Sequence, residues 1–261
     1  MAAPADNASA TPLIELVDAS IASAQEPEVA LVAGVSWRLR PGEYWAVGGL
    51  DWAGKSDWLT TVAGLQQPVA GAHFLFGWDT ASITEAERVA ERLRVGLVFE
   101  NGGRLFTHMT VAQNLALPLR YHRNCPPEET QEAVEAALAF AGLNDFANQM
   151  TSQLNRSWRQ RVALARALIL QPEVLLLDNP LAGLDPRQTR WWLDTLDALN
   201  AGHPLLAGRP LALVATADDL RPWQAHARQF ALLQRGRWVD LGGRNDLSAS
   251  SDTVVLDFLS A

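Results

Sequence analysis

The sequence predicts an α/β fold built around a parallel sheet, and three observations predict it. Strand-like apolar segments alternate with helix-like segments along the chain. Val174–Leu177 is a continuous apolar run, the pattern of a strand buried on both faces. Tyr44–Val47 runs into glycines and then into a helical stretch, Lys55–Ala63, which stops at Gly64. That order is strand, glycine-containing loop, helix.

Each element has its own signal. Leu13–Ala22 and Val29–Arg40 carry the alternating pattern of strands, and Pro41-Gly42 is a turn signal. A short strand at His73–Phe76, a charged helix at Thr84–Leu93 and a strand at Val95–Phe99 follow. Residues 110–150 read as helical throughout and look like an insertion. Within them Pro126-Pro127 with Glu128-Glu129 starts one helix and Gly142 ends it. Asn155 is placed to cap the next, which carries Trp158, Val162, Ala165 and Ile169 on one face. Helix Arg187–Leu199, strands Leu211–Thr216 and Gln229–Leu233, and a final hairpin-like piece complete the expected core.

Composition narrows the class. With 261 residues, 48% hydrophobic and 19% charged, the chain is long and apolar enough for a substantial core, which excludes general disorder. The single cysteine, Cys125, excludes an intrachain disulfide and a cysteine-based zinc site, and suits a reducing compartment. A net charge of −8 gives no electrostatic reason to expect nucleic acid as a partner. No apolar run approaches the roughly 18 residues of a membrane-spanning helix. Met1–Pro12, made of Ala, Ser, Pro, Asn and Asp apart from Met1 and Thr11, is expected to be a flexible tail rather than a signal peptide. Ten tryptophans stand against two tyrosines.

The chemistry is concentrated in two segments. Gly49-Leu50-Asp51-Trp52-Ala53-Gly54-Lys55-Ser56 fits the pattern G-x-x-x-x-G-K-[ST] of a phosphate-cradling loop, between a strand and a helix as that pattern requires. Loop N–H groups and the helix N-terminus make an anion site, Lys55 is expected to reach the β- and γ-phosphates, and Ser56 to ligate Mg²⁺. The bland alternative is a glycine-rich turn before a helix. Val174–Leu177 followed by Asp178 weighs against it, because an acidic residue at the end of a buried strand is placed to hold the Mg²⁺ shell.

From about Ile14 to Leu259 the order of motifs resembles the ATP-binding subunit of an ATP-binding-cassette (ABC) transporter. After the phosphate loop, Val95–Asn101 resembles the Q-loop region, with Glu100 where the family has Gln. Leu154-Asn155-Arg156-Ser157-Trp158, running into Arg159–Ala167, resembles the signature segment. Leu177–Asp185 resembles the strand-end and D-loop segment, and Leu213–Asp218 resembles the switch segment. The resemblance implies a P-loop NTPase core of RecA type, an antiparallel β subdomain and an inserted α-helical signature subdomain. It implies a single domain over 13–261, with core at about 13–100 and 170–242, helical subdomain at about 101–169 and C-terminal helices at about 243–261. It also implies ATP and Mg²⁺ as cofactors, with Ser56, Asp178 and Glu100 as candidate metal ligands. An integral-membrane permease and a second ABC subunit are the implied partners, and the implied location is cytoplasmic, on the inner face of the plasma membrane.

The departures from the family pattern matter as much as the match. The catalytic Glu position holds Asn179, and an amide cannot accept a proton from attacking water. The switch His position holds Ala217, which has no donor. Glu100 retains the capacity to ligate Mg²⁺, but its charge faces the γ-phosphate unless the ion lies between. Arg156 and Trp158 are bulky where the signature approaches a phosphate; Asn155 either keeps a contact there or merely caps its helix. Trp52 replaces a Gly, and Asp57 replaces a Thr next to the phosphates. The Trp52 indole is expected to pack within its loop, the alternative being a stack on the nucleotide base. Leu184-Asp185 of the D-loop and Gln160-Arg161-Val162 after the signature keep the pattern, so the dimerising surfaces look better kept than the chemistry.

In the family's head-to-tail dimer each nucleotide lies between one subunit's phosphate loop and the other's signature. Alterations on both faces of one chain therefore affect both sites of a mixed dimer. The expectation is a subunit that binds ATP and hydrolyses it slowly or not at all. The alternative is an active ATPase in which Glu100 or Asp57 supplies the missing base. Leu105–Arg120 and Ser251–Leu259 are similar to the Mla/Mce-type lipid-transport branch, which gives lipid transport as the expected process. His108, in that stretch, is expected to be a surface or packing histidine.

Overall fold

The computed structural model describes residues 11–249 except Ala24, Gln25 and Pro27. The expected tail over 1–12 and the segment Ser251–Leu259 lie wholly or mostly outside the described residues. The strands are β1 (Ile14–Ala22), β2 (Ala30–Leu39), β3 (Tyr44–Gly49), β4 (Ala70–Leu75), β5 (Trp78–Asp79), β6 (Val95–Val98), β7 (Val174–Leu177), β8 (Ala212–Ala217), β9 (Gln229–Gln234) and β10 (Arg237–Gly243). The helices are α1 (Lys55–Val62), α2 (Glu85–Arg92), α3 (Val111–Pro118), α4 (Pro127–Ala141), α5 (Arg156–Leu168), α6 (Pro186–Ala201) and α7 (Arg244–Ala249). None of these helices is long and apolar enough to cross a membrane. Two compact units divide the chain: Leu93–Leu211, and the residues on either side of it up to Arg92 and from Ala212.

In the flanking unit the strands pair in the order β5-β4-β1-β2-β10-β9-β3-β8. β3 lies between β8 and β9, parallel to both, with Gly48 opposite Ala217 and Leu232. Every residue of β3 and β8 is buried, so these strands are apolar throughout rather than alternating. β1, β2 and β4 form the antiparallel part, where one face is covered and the alternation returns. α1 packs through Trp58, which is fully buried. Its indole stacks on Trp238 at 5.1 Å and meets Trp37 edge-on at 5.2 Å, while Trp37 meets Trp45 at 5.9 Å. Four of the ten tryptophans thus form one cluster that fixes α1 against β2, β3 and β10. Trp78, by contrast, is 56% exposed.

In the unit Leu93–Leu211, β6 and β7 pair in parallel from Val95–Val174 to Val98–Leu177. Around the helices, Val111, Leu115, Val134, Leu138, Val162, Ala165 and Ile169 form a buried cluster. The reading of 110–150 as helical throughout holds in part: the helix start at Pro126-Pro127 and the stop at Gly142 stand as expected, and the remainder is corrected here. α3 starts at a capping box, with the Thr110 side chain accepting from Gln113 N–H and the Gln113 side chain accepting from Thr110 N–H. It stops at Pro118, and a π-helical turn, Leu119–Arg123, ends at Asn124 with φ 48°. α4 begins at the second of two prolines and ends at Gly142 in the left-handed region, φ 67°. Beyond it the chain makes short 3₁₀ turns, and Met150 forms an isolated antiparallel bridge with Thr110. Helical propensity along 110–150 gives way to these proline and glycine breaks.

His73, buried in β4, gives the fold a pH dependence. Its Nδ1 lies 3.3 Å from Thr80 Oγ1. Burial outweighs the raising effects of a backbone hydrogen bond at Val62 and of Asp79, and lowers its pKa to about 4. Because the unfolded imidazole binds protons more readily than the folded one, stability is complete above about pH 6.5 and falls as pH drops toward 4. The loss attributable to this residue is roughly 3 kcal/mol. In thermal melts, His73→Gln is expected to flatten the stability profile between pH 6.5 and 4, and an unchanged profile would refute this origin.

Candidate functional site

The phosphate-loop half of the site lies wholly in the flanking unit. β3 ends at Gly48-Gly49, where the backbone has no room for side chains. A Cβ on Gly48 would meet Leu232 at 2.6 Å, and one on Gly49 would lie 3.0 Å from the Leu233 carbonyl. The loop then turns, with Ala53 N–H donating to Leu50 O at 3.1 Å. Gly54 takes φ 83° and caps α1 with no side chain, so the first-turn N–H groups of α1 receive no side-chain cap from it. This arrangement suits an anion. Lys55 is 9% exposed, and its Nζ donates to the carbonyls of Gly49 and Leu50 and to Asp218 Oδ1 at 2.6 Å. Ser56 is exposed. Asp57 is partly buried in the first turn, and its carbonyl accepts from the Thr60 and Thr61 hydroxyls.

Trp52 stands in this loop with φ 66°, a left-handed conformation in which an indole is strained, and it is 99% exposed. The expectation that it packs within its loop is therefore corrected: among the described residues its ring rests on nothing. Leu50 and Asp51 are exposed beside it. Ala217 ends β8 with its methyl group buried, and Asp218 follows it.

The strand-end half lies in the unit Leu93–Leu211. Asp178 follows the fully buried β7, is itself buried, and its N–H donates to Val98 O at 2.8 Å. Asn179 turns the chain with φ 45°, a conformation that Asn tolerates better than most residues. Gly183 takes φ 66° close to Arg156, and a Cβ there would lie 3.1 Å from Arg156 Nη1. Leu184 N–H donates to Leu181 O, and Asp185 caps α6 by accepting from Arg187 and Gln188 N–H at 2.8 and 2.9 Å.

The Q-loop and signature residues of this unit meet. Glu100 Oε1 accepts from Arg156 Nη2 at 3.3 Å, a pairing across 56 residues that the sequence reading did not contain. A Cβ on Gly102 would lie 2.6 Å from the Arg159 backbone, so the Q-loop presses directly on the start of α5. A metal-ligand role for Glu100 therefore competes with a guanidinium. Asn155 accepts from Trp158 N–H at 3.1 Å and caps α5. Ser157 and Leu154 flank this cap. Trp158 lies against Phe146 at 4.5 Å and under Arg161 at 4.9 Å, and Arg161 also covers Trp191 at 3.6 Å. Partial burial lowers the pKa of Arg161 from its ordinary value. His108 is exposed and meets Phe106 edge-on.

Strand, glycine loop, uncapped helix and loop lysine are the parts of a P-loop nucleotide-binding protein. The residues fit a magnesium nucleotide. The uncapped first turn of α1 and the buried Lys55 ammonium suit phosphate oxygens, and the exposed Ser56 hydroxyl is open to an ion held with them. The ABC transporter family profile matches residues 32–182. The chain is 34% identical to the methionine import ATP-binding protein MetN of Caulobacter vibrioides, over 93% of this chain and 71% of that protein. It is 31% identical to MetN of Bifidobacterium longum, over 86% of this chain and 54% of that protein. Its fold matches, at TM-score 0.76 and 25% identity, a dimeric ATP-binding cassette in a post-hydrolysis state bound to ADP and Pi, covering 88% of this chain and 99% of that one. It also matches cbiO1 from Clostridium perfringens, part of an ABC transporter complex, at TM-score 0.76 and 20% identity, over 95% of each chain. The chain belongs to the ABC transporter ATP-binding family, whose members bind ATP with Mg²⁺. It spans about half to seven-tenths of the length of the MetN relatives named here. These relatives are named as methionine import ATP-binding proteins, so the expected affinity with the lipid-transport branch gives way to them.

Trp52 and Trp58 should respond oppositely when mutated. Trp52→Gly is expected to leave stability unchanged or raise it by up to about 1 kcal/mol, since it relieves left-handed strain and removes no burial. Trp58→Ala, which empties the centre of the indole cluster, is expected to cost about 3–5 kcal/mol. Denaturant melts of both variants check this, and a large loss at Trp52 would contradict the exposed placement.

Proposed function

We propose that this chain is the nucleotide-binding subunit of an ABC import complex. It binds MgATP, pairs with a second ABC subunit, and docks on the cytoplasmic side of an integral-membrane permease. The proposed cargo class is a small amino acid such as methionine, supported by the relatives' names and by 93% coverage of this chain in the Caulobacter alignment. Hydrolysis is proposed to be slow or absent. The observation that carries this is Asn179, which occupies the turn directly after buried Asp178 and offers an amide where proton abstraction needs a base. The buried methyl of Ala217 adds no donor on its side.

Lys55 and the N–H groups of the loop and of α1 would hold the phosphates, and Ser56 would hold the ion. Mg²⁺, when bound with the nucleotide, supplies charge neutralisation at the phosphates. The rewired-base alternative is weakened at Glu100, whose carboxylate already answers Arg156. Asp57 offers a charge at the helix N-terminus, where it adds negative potential beside the phosphates.

Binding and turnover separate these readings. The purified chain is expected to bind MgATP, to lose that binding on Lys55→Ala, and to hydrolyse ATP far below the roughly 1–10³ s⁻¹ typical of enzymes. Turnover of ordinary size that Lys55→Ala abolishes would overturn the slow-hydrolysis reading. Labelled methionine uptake by vesicles carrying the co-purified permease complex tests the cargo class.

A further inference from the structure

We propose that Asp218 sets both the strength and the magnesium dependence of nucleotide binding, by holding the Lys55 ammonium that a phosphate must engage. The inference rests on the nucleotide-binding reading of the loop and adds a determinant to it. An ammonium has three N–H donors. Those of Lys55 face three acceptors: the carbonyls of Gly49 and Leu50, and Asp218 Oδ1 at 2.6 Å. A phosphate oxygen therefore reaches Lys55 only by replacing one of the three.

The three acceptors are not equally replaceable. Gly49 ends β3 with its backbone held in parallel register beside β9, and its Cβ position is already closed by the Leu233 carbonyl. Leu50 O also accepts from Ala53 N–H and is part of the loop's own turn. The Asp218 side chain is 46% exposed, so it can turn toward water at little desolvation cost. Asp218 is thus the acceptor that yields, and it is the only one of the three with a charge.

Displacement does not remove that charge from the site. β8 holds Ala217 opposite Gly48 of β3, so the Asp218 backbone stays beside the loop whether or not its side chain contacts Lys55. Arg221, the nearest cation along the chain, makes a bidentate pair with Asp219, donating from Nε to Oδ1 at 3.0 Å and from Nη2 to Oδ2 at 2.8 Å. Asp51 and Asp57 add negative charge on the loop and on the first turn of α1. A displaced Asp218 therefore repels the arriving phosphates. Repulsion scales with ligand charge, so it is larger for metal-free ATP than for the magnesium complex. Asp218 then acts as an internal competitor that favours the magnesium-bound nucleotide.

Calorimetry on the full chain with MgATP, and with ATP plus a chelator, tests this. Asp218→Asn keeps the shape and removes the charge, and is expected to tighten MgATP binding about fivefold. Metal-free ATP should gain by a clearly larger factor, and Asp218→Glu should bind like the parent. Weaker or unchanged binding by Asp218→Asn while the parent binds would overturn the proposal, as would equal gains with and without magnesium. A thermal-melt cycle of Lys55→Met, Asp218→Asn and the double variant reads the pair with no nucleotide present. Coupling there supports the Lys55–Asp218 contact, and its absence overturns it. If no variant binds nucleotide but the coupling is present, the nucleotide reading fails and this proposal with it, while the contact itself stands.

Discussion

The burial of Trp58 is the constraint on which the phosphate loop depends. α1 is only eight residues long, too short to hold itself together in water. Its position comes from a buried face of Trp58, Leu59 and Val62, the largest of them seated against Trp37 and Trp238. Behind that anchor, Gly54 and Lys55 fall where the chain leaves β3, and the helix N-terminus is aimed before any ligand arrives. Gly48 and Gly49 are the complement of this anchor. One end of the loop is fixed by a bulky residue that fills space, the other by residues that leave none to fill.

Charge substitutions in the motifs come with local answers. The acidic residue at the Q-loop position, Glu100, meets the basic residue at the signature position, Arg156, within one compact unit. Both side chains are more than a third exposed, so the pair contributes well under a strong buried bridge to stability, on the order of 0–1 kcal/mol. Its larger effect is on availability: a guanidinium occupied by Glu100 is a weaker phosphate donor, and a carboxylate occupied by Arg156 is a weaker metal ligand. Lys55 and Asp218 repeat the pattern in the other unit. In both places a cation that the sequence motifs lead one to expect at a phosphate is met by a carboxylate of its own chain.

Much of the fold was legible because its signals are local. The run Val174–Leu177, the stop at Gly142, the Asn155 cap and the strand–loop–helix at 44–63 each follow from a few adjacent residues, and each stands where the sequence put it. Two-residue β5 left no periodicity to detect, and the helicity expected over 110–150 overlooked the left-handed Asn124 and the short 3₁₀ turns beyond Gly142. The site was half legible. Motif spacing located Lys55, Asp178 and Asn179, but the partners that change their chemistry are distant in sequence, 163 residues for Lys55 and Asp218 and 56 for Glu100 and Arg156. Spacing carries no information on such pairings; only the folded backbone brings them together. Trp52 shows the converse limit. Its left-handed backbone was foreseeable as a condition of the motif, whereas the direction of its ring was not.

That ring gives the molecule an optical property. Trp37, Trp45, Trp58, Trp192 and Trp223 are buried and emit from apolar surroundings, whereas Trp52 emits from water one turn ahead of Lys55. Long-wavelength tryptophan fluorescence, selectively quenched by a water-borne anion such as iodide, therefore carries a contribution from the phosphate loop, shared with half-exposed Trp78 and separable from it by substitution. The residue that most departs from the loop's usual chemistry is also a native label for whatever approaches it.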